Sequence, residues 1–124
     1  MIIFQPDRHL LHRFIAAHAQ SMTGKVLDVG GGTRRYARLF AHCDYKILDT
    51  DASSKPDIVA SAESIPLSDA SQDGVVCTQM LGDVWDVQKA IAEMARVLRP
   101  GGLLLLTESL FNEQHDEPRD YWRF

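Results

Sequence analysis

Between Lys25 and Thr33 a short apolar run ends in an acid, and three glycines follow at once: Lys-Val-Leu-Asp-Val-Gly-Gly-Gly-Thr. Behind them Tyr36, Ala37, Leu39 and Phe40 recur at roughly helical spacing. This order predicts a buried strand, a tight turn and a helix running to about His42. It is the nucleotide-binding corner of a doubly wound α/β sheet. Glycine suits that turn because the backbone must adopt unusual dihedrals and let a ligand approach where a side chain would collide.

The rest of the chain alternates in the way such a sheet requires. Asp7 to Ala19 places Leu10, Leu11, Phe14, Ile15 and His18 on one side of a leading helix, within a leading segment 1–22. Strands are expected at Lys25 to Val29, Tyr45 to Leu48, Ile58 to Ala60, Val75 to Thr78 and Leu103 to Thr107. Between the last two, Asp86 to Leu98 carries Ala90, Ile91, Met94, Val97 and Leu98 on one helical stripe. Arg99-Pro100-Gly101-Gly102 then stops that helix, because Pro and Gly oppose continuation. Strands alternating with helices predict a mostly parallel, Rossmann-like sheet of about five strands with flanking helices.

Composition sets the outer bounds. A chain of 124 residues is one domain, and a domain of that size buries roughly two thirds of its unfolded surface without a metal or disulfide staple. A net charge of −4 argues against a dedicated nucleic-acid surface, although Arg34, Arg35 and Arg38 cluster. The run Leu103 to Leu106 is far too short to span a bilayer, so no membrane partner is expected. Met1-Ile2-Ile3-Phe4 lacks the basic start and long apolar core of a signal peptide. Cys43 and Cys77 lack metal-ligand spacing and read as two buried thiols in a reducing cytoplasm, with no metal site.

In a doubly wound sheet the ligand sits outside the carboxyl ends of the strands. The residues there are Gly30, Gly31, Gly32 and Thr33 after the first strand, and Asp49 after the second. Ser61 and Ala62 follow the third, and Gln79, Met80 and Leu81 follow the fourth. Asp49 stands about 20 residues beyond the glycine turn, where an acid can accept hydrogen bonds from ribose hydroxyls. Asp51 is its rival, but the apolar run ends at Leu48 and favours Asp49. A dinucleotide fingerprint would need a third glycine where Arg35 stands, and no Gly-Lys-Ser/Thr closes a phosphate loop.

On these residues the chain resembles the class I S-adenosylmethionine-dependent methyltransferases of the methyltransferase-11 type. Their acid-x-Gly-x-Gly-x-Gly motif is similar to Asp28-Val29-Gly30-Gly31-Gly32-Thr33-Arg34. The resemblance continues through Ile65-Pro66-Leu67 and Asp73-Gly74-Val75-Val76-Cys77, and ends in Ala95-Arg96-Val97-Leu98-Arg99-Pro100-Gly101-Gly102. It implies S-adenosylmethionine as cofactor and methyl transfer to a small-molecule acceptor. Asp28 would face the methionine ammonium, Gly30 to Gly32 the backbone approach, and Asp49 the ribose. Ser61 and Ala62 would read adenine, with Gln79 and Leu81 beside the cofactor on the acceptor side. The amides of a helix behind the turn would suit the carboxylate.

The departures from the family pattern carry the alternative. Arg34 replaces the third glycine, Ser61 the usual acid at the adenine position, and Asp83 a histidine that often faces the acceptor. Asp83, His115 and Tyr121 are the candidate catalytic groups; for Asp83 a loop or capping role stands beside the catalytic one. Family members continue past the fifth strand into a helix and an antiparallel pair, whereas this chain stops at Phe124. The fifth strand is then expected as a bare edge, pointing to a homodimer, a minimal domain or a shortened gene. The tail 109–124, with His115, Tyr121, Trp122 and Arg123, lines an acceptor pocket or shields that edge. The second function class is a cofactor-binding or regulatory module without turnover that needs a partner subunit.

Overall fold

The computed structural model describes residues 6–108. Its elements run α1 (Pro6–Ala19), β1 (Lys25–Val29), β2 (Asp44–Asp49), β3 (Ile58–Val59), β4 (Gln72–Thr78), α2 (Val87–Val97) and β5 (Leu98–Thr107). Every strand pair is parallel, in the order β3-β2-β1-β4-β5. This is the Rossmann-like α/β arrangement the alternation predicts. The chain winds outward from β1 in one direction and from β4 in the other, which opens a crevice at their carboxyl ends.

Strand alternation divides the core between the two faces. Val26 on β1 and Val76 on β4 pack with Ile15, Ala19, Phe40 and Leu105. Leu27, Val29, Val75 and Cys77 face the other way, against Ala90, Met94 and Val97 of α2. Asp86 caps α2 by accepting the Lys89 amide at 3.0 Å.

Four local expectations are corrected. No regular helix follows the glycine turn; only a single 3-10 turn, Ala37–Phe40, forms, with no side-chain cap at Tyr36. Arg34 there has φ +55°, in the left-handed region that interrupts a right-handed helix. Second, β5 begins directly at Leu98, and Arg99-Pro100-Gly101-Gly102 forms its irregular first stretch, with a register shift opposite Gln72 and Gly74. Pro100 is tolerated because β5 pairs only with β4 among the described residues, so its missing N–H falls on an edge strand.

Third, the inward seam of α1 is the half-buried Leu11 with the buried Ile15 and Ala19, continued by Met22, whereas Leu10, Phe14 and His18 are exposed. One sheet face accepts only a narrow i, i+4 row, so the neighbouring apolar row points outward. Ile91 is left exposed on α2 for the same reason. Fourth, Cys77 is buried but Cys43 only half so, its thiol donating to the Met22 carbonyl at 3.2 Å. No described helix is long and apolar enough to cross a membrane.

Arg96 explains why the turn-rich stretch before β4 is ordered. Its guanidinium donates to the Ile65 and Leu67 carbonyls, both at 2.8 Å, and pairs with Asp69 and Glu93 at 2.7 Å each. Glu93 in turn accepts the Ile65 amide at 2.7 Å. Arg96→Ala is therefore expected to speed amide hydrogen exchange across residues 65–70 by at least about tenfold, while the core strands keep their protection. Unchanged exchange there would show that the backbone holds itself.

Candidate functional site

Two cavities flank the carboxyl edge of the sheet, and Gly30 lines both. The first, about 350 Å³, lies on the α1 side and is bounded by Arg8, Asp28, Gly31, Arg35, Tyr36 and Gln79. The second, about 440 Å³, lies on the α2 side, among Asp49, Ser61, Ala62, Glu63, Asp83 and Trp85. The crevice thus brings together the residues at the ends of β1, β2, β3 and β4.

The three glycines are each needed for a different reason. Gly30 has φ +82°, and a Cβ there would lie 2.3 Å from Met80 Cγ. A Cβ on Gly31 would lie 2.5 Å from Asp28 Cγ, and one on Gly32 would lie 2.6 Å from Asp49 Oδ2. The turn is therefore a backbone surface pressed between two carboxylates. Gly30→Ala is expected to cost about 1–2 kcal/mol in urea unfolding from the left-handed backbone alone. An unchanged unfolding midpoint would mean that the turn relaxes freely.

Asp28 is buried on β1, facing Tyr45 of β2, whose hydroxyl donates to its Oδ2. Its Oδ1 has no hydrogen-bond partner among the described residues. Burial pushes its carboxyl up to about 6, with Asp49 adding to the rise and the Tyr45 hydrogen bond opposing it. An orphaned buried carboxylate oxygen beside a cavity is costly unless a ligand satisfies it.

Asp49 ends β2 with both oxygens engaged. Oδ2 accepts the Gly32 amide at 3.1 Å and Oδ1 the Asp51 amide at 2.9 Å. Asp51 itself caps the next short turn, accepting the Ser53 amide at 3.0 Å, and lines neither cavity. Ser61 Oγ accepts the Glu63 amide at 3.1 Å, and Glu63 accepts the Asp86 amide at 2.7 Å, fastening this wall to the start of α2.

Gln79 lines the first cavity with a left-handed backbone, φ +53°, its amide held by the Thr107 carbonyl at 2.8 Å. Leu81 lines neither cavity: its side chain is buried in the core and its amide donates to Glu108 at 2.9 Å, while Met80 takes the place beside the glycines. Asp83 borders the second cavity. The tail with His115, Tyr121, Trp122 and Arg123 lies outside the described residues.

Sequence reasoning missed Arg8, Tyr45 and Trp85. Arg8 arrives from a distant helix and leaves no local signal. Tyr45 could have been found, since a buried acid on one strand needs a donor from the next. Trp85, largely exposed at the rim of the second cavity, follows the short turn Leu81–Asp83 after β4. Among the described residues no group of three or more His, Cys, Asp or Glu side chains is arranged to hold a metal ion.

Comparison with known proteins agrees with this geometry. The sequence pattern of a methyltransferase domain family matches residues 27–106. The chain is 30% identical over 109 residues to the ubiquinone/menaquinone biosynthesis C-methyltransferase UbiE of Rubrivivax gelatinosus, covering 77% of this chain and 43% of that protein. It is 43% identical over 68 residues to the thiol S-methyltransferase TMT1B of Homo sapiens, covering 54% and 26% respectively. The crystal structure of the YcgJ protein from Bacillus subtilis superimposes with a TM-score of 0.66 at 28% identity, over 79% of this chain and 50% of that one. The chain thus spans less than half the length of these curated relatives. The matched span runs from within β1 to within β5 and so takes in nearly all of the sheet, and the chain belongs to the methyltransferase domain family.

Proposed function

We propose that this chain binds S-adenosylmethionine across the carboxyl edge of the sheet and transfers its methyl group to a small-molecule acceptor. The observation that carries this reading is the pair of carboxylates flanking one glycine turn. Asp28 lies on the first cavity with an unpartnered oxygen, Asp49 lies on the second, and Gly30 joins them. An elongated ligand with an ammonium at one end and a vicinal diol in the middle matches that spacing of charge and backbone.

In this reading Asp28 takes the ammonium, Asp49 the ribose hydroxyls, and Ser61 and Ala62 the adenine edge. The expected helix amides are absent behind the turn, and those of Gly30 and Gly32 are already spent on the Leu48 carbonyl and Asp49. Arg8 and Arg35, on the wall of the first cavity, replace them as partners for the carboxylate. The cofactor, when bound, supplies a sulfonium-activated methyl group. The protein's share is then to hold an acceptor in line, for which positioning alone gives a large effect.

The relatives' names span carbon and thiol acceptors, and the acceptor class here stays at small molecules. A cytoplasmic location and a homodimer through the β5 edge belong to the same proposal, the latter supported by β5 ending the described sheet. One observation favours the second reading, a binding module without turnover: Asp83 borders the second cavity where the resemblance implies a histidine facing the acceptor. Calorimetric titration with S-adenosylmethionine and S-adenosylhomocysteine tests both readings. Binding of neither by a folded chain removes both. Binding without turnover across oxygen, nitrogen, carbon and thiol acceptors leaves the module.

A further inference from the structure

Asp28 and Tyr45 form a unit that the glycine motif does not contain. In the β1–β2 register Val26 lies opposite Tyr45 and Asp28 opposite Ile47, so Tyr45 and Asp28 are diagonal neighbours on one sheet face. The phenol donates to Asp28 Oδ2. Its ring stacks on Phe40, with centroids 5.2 Å apart and planes 4° from parallel. Phe40 is itself fully buried, so the ring that delivers the hydroxyl rests on a core side chain. Gly31 packs against the carboxylate from the other side. One oxygen of Asp28 is pinned; the other is buried with no hydrogen-bond partner among the described residues, and the residue borders the first cavity.

We propose that Tyr45 is a positioning residue: it holds Asp28 by Oδ2 so that Oδ1 is presented to the ammonium of an amino-acid-bearing ligand. This rests on the cofactor reading above and assigns a residue to it. Without the phenol the carboxylate would be free to rotate about its last bond, and the oxygen offered to the ligand would no longer be defined. The phenol also favours the charged form of Asp28, since its hydrogen bond opposes the rise that burial causes.

Charged and titratable groups around Asp28 come from each neighbouring element. They are Tyr45 and Asp49 on β2, Cys77 on β4, Arg8 on α1, and Arg35 and Tyr36 after the glycine turn. Burial pushes both the Tyr45 phenol and the Cys77 thiol up, so neither changes charge between pH 5.5 and 8.5, as values of about 10 and 8.5 are already the unperturbed ones. Asp28 is the group whose charge an ammonium would sense there.

The test compares two ligands that differ in their amino-acid end. S-adenosylhomocysteine carries the ammonium; 5′-methylthioadenosine lacks that end and keeps the nucleoside. Both are titrated into the wild type, Tyr45→Phe and Asp28→Asn by calorimetry from pH 5.5 to 8.5. Tyr45→Phe is expected to weaken S-adenosylhomocysteine about tenfold at neutral pH and to move the midpoint of its pH profile upward. Methylthioadenosine affinity should stay unchanged and flat, which also reports that the variant is folded. In the Asp28→Asn background, Tyr45→Phe should have no further effect on S-adenosylhomocysteine.

Equal losses for both ligands, or an unmoved pH midpoint, would overturn the positioning role and leave the cofactor reading standing. A wild-type chain that binds neither ligand would remove the cofactor reading and this inference together.

Discussion

Asp49→Ala is expected to reduce S-adenosylmethionine affinity by about 30- to 1000-fold, a loss of about 2–4 kcal/mol from two hydrogen bonds to a charged acceptor. The size follows from what the side chain already does. Its oxygens accept the Gly32 and Asp51 amides, at 3.1 and 2.9 Å, which fix the carboxylate between the first turn and the second loop. Removing it would take away the proposed diol acceptor and also free the Gly32 amide of the glycine turn. Asp51→Ala is the control: that side chain caps Ser53 and lines neither cavity, so it should alter binding little. Calorimetry on the pair separates the two acids, and equal losses would move the ribose site to the loop.

Asp28→Asn is expected to act with opposite signs on stability and on binding. The folded carboxyl titrates at about 6, above its ordinary 3.8. The native state therefore holds a proton that the unfolded chain has already released, and this contribution is complete below about 3.8 and lost as pH rises through about 6. At pH 7.5 keeping the buried group charged costs about 3 kcal/mol. Asparagine removes the charge and keeps an oxygen for the Tyr45 hydroxyl. The variant should thus be more stable than wild type by about 1–3 kcal/mol at pH 7.5, the remainder going to an amide with no partner. The two should converge near pH 4.

Two other carboxylates pull the other way. The Lys25 amide and Arg99 hold Asp73 below its ordinary range, and Arg96 with the Ile65 amide holds Glu93 down at about 2. Both are common to the two chains, so the difference between urea curves isolates Asp28. The same variant should bind S-adenosylhomocysteine at least about tenfold more weakly at pH 7.5, because a neutral amide no longer attracts an ammonium. A variant less stable at pH 7.5 would mean that the charged form of Asp28 is already compensated inside the protein.

How much of this was legible in the sequence depended on the range of the interaction. The parallel sheet, the glycine turn and the place of Asp49 at the end of β2 were readable because each follows from neighbours within a few residues. The strand after Arg99-Pro100 was placed too late, since an edge strand tolerates Pro and Gly that a central strand would not. The helix after the turn was overread because Tyr36 and Phe40 pack at helical spacing from a single 3-10 turn, and spacing alone does not show a left-handed residue at Arg34. The exposed row of α1 failed for a different reason: Leu10, Leu11, Phe14 and Ile15 are compatible with either seam, and the sheet chooses one. Arg8 and Tyr45 reach the site through tertiary contacts, which no local pattern records.

Arg34 also links two parts of the crevice that the chain itself separates. Its guanidinium donates to the Lys55 carbonyl at 3.0 Å and lies 3.7 Å from Asp57, whose carboxylate accepts the Ile47 amide of β2 at 2.8 Å. A glycine at this position would relieve the left-handed backbone but carry no such arm. The chain has in effect exchanged local ease for a brace between the loops after β1 and β2, so the rim beside the crevice is tied across rather than left as two independent lips.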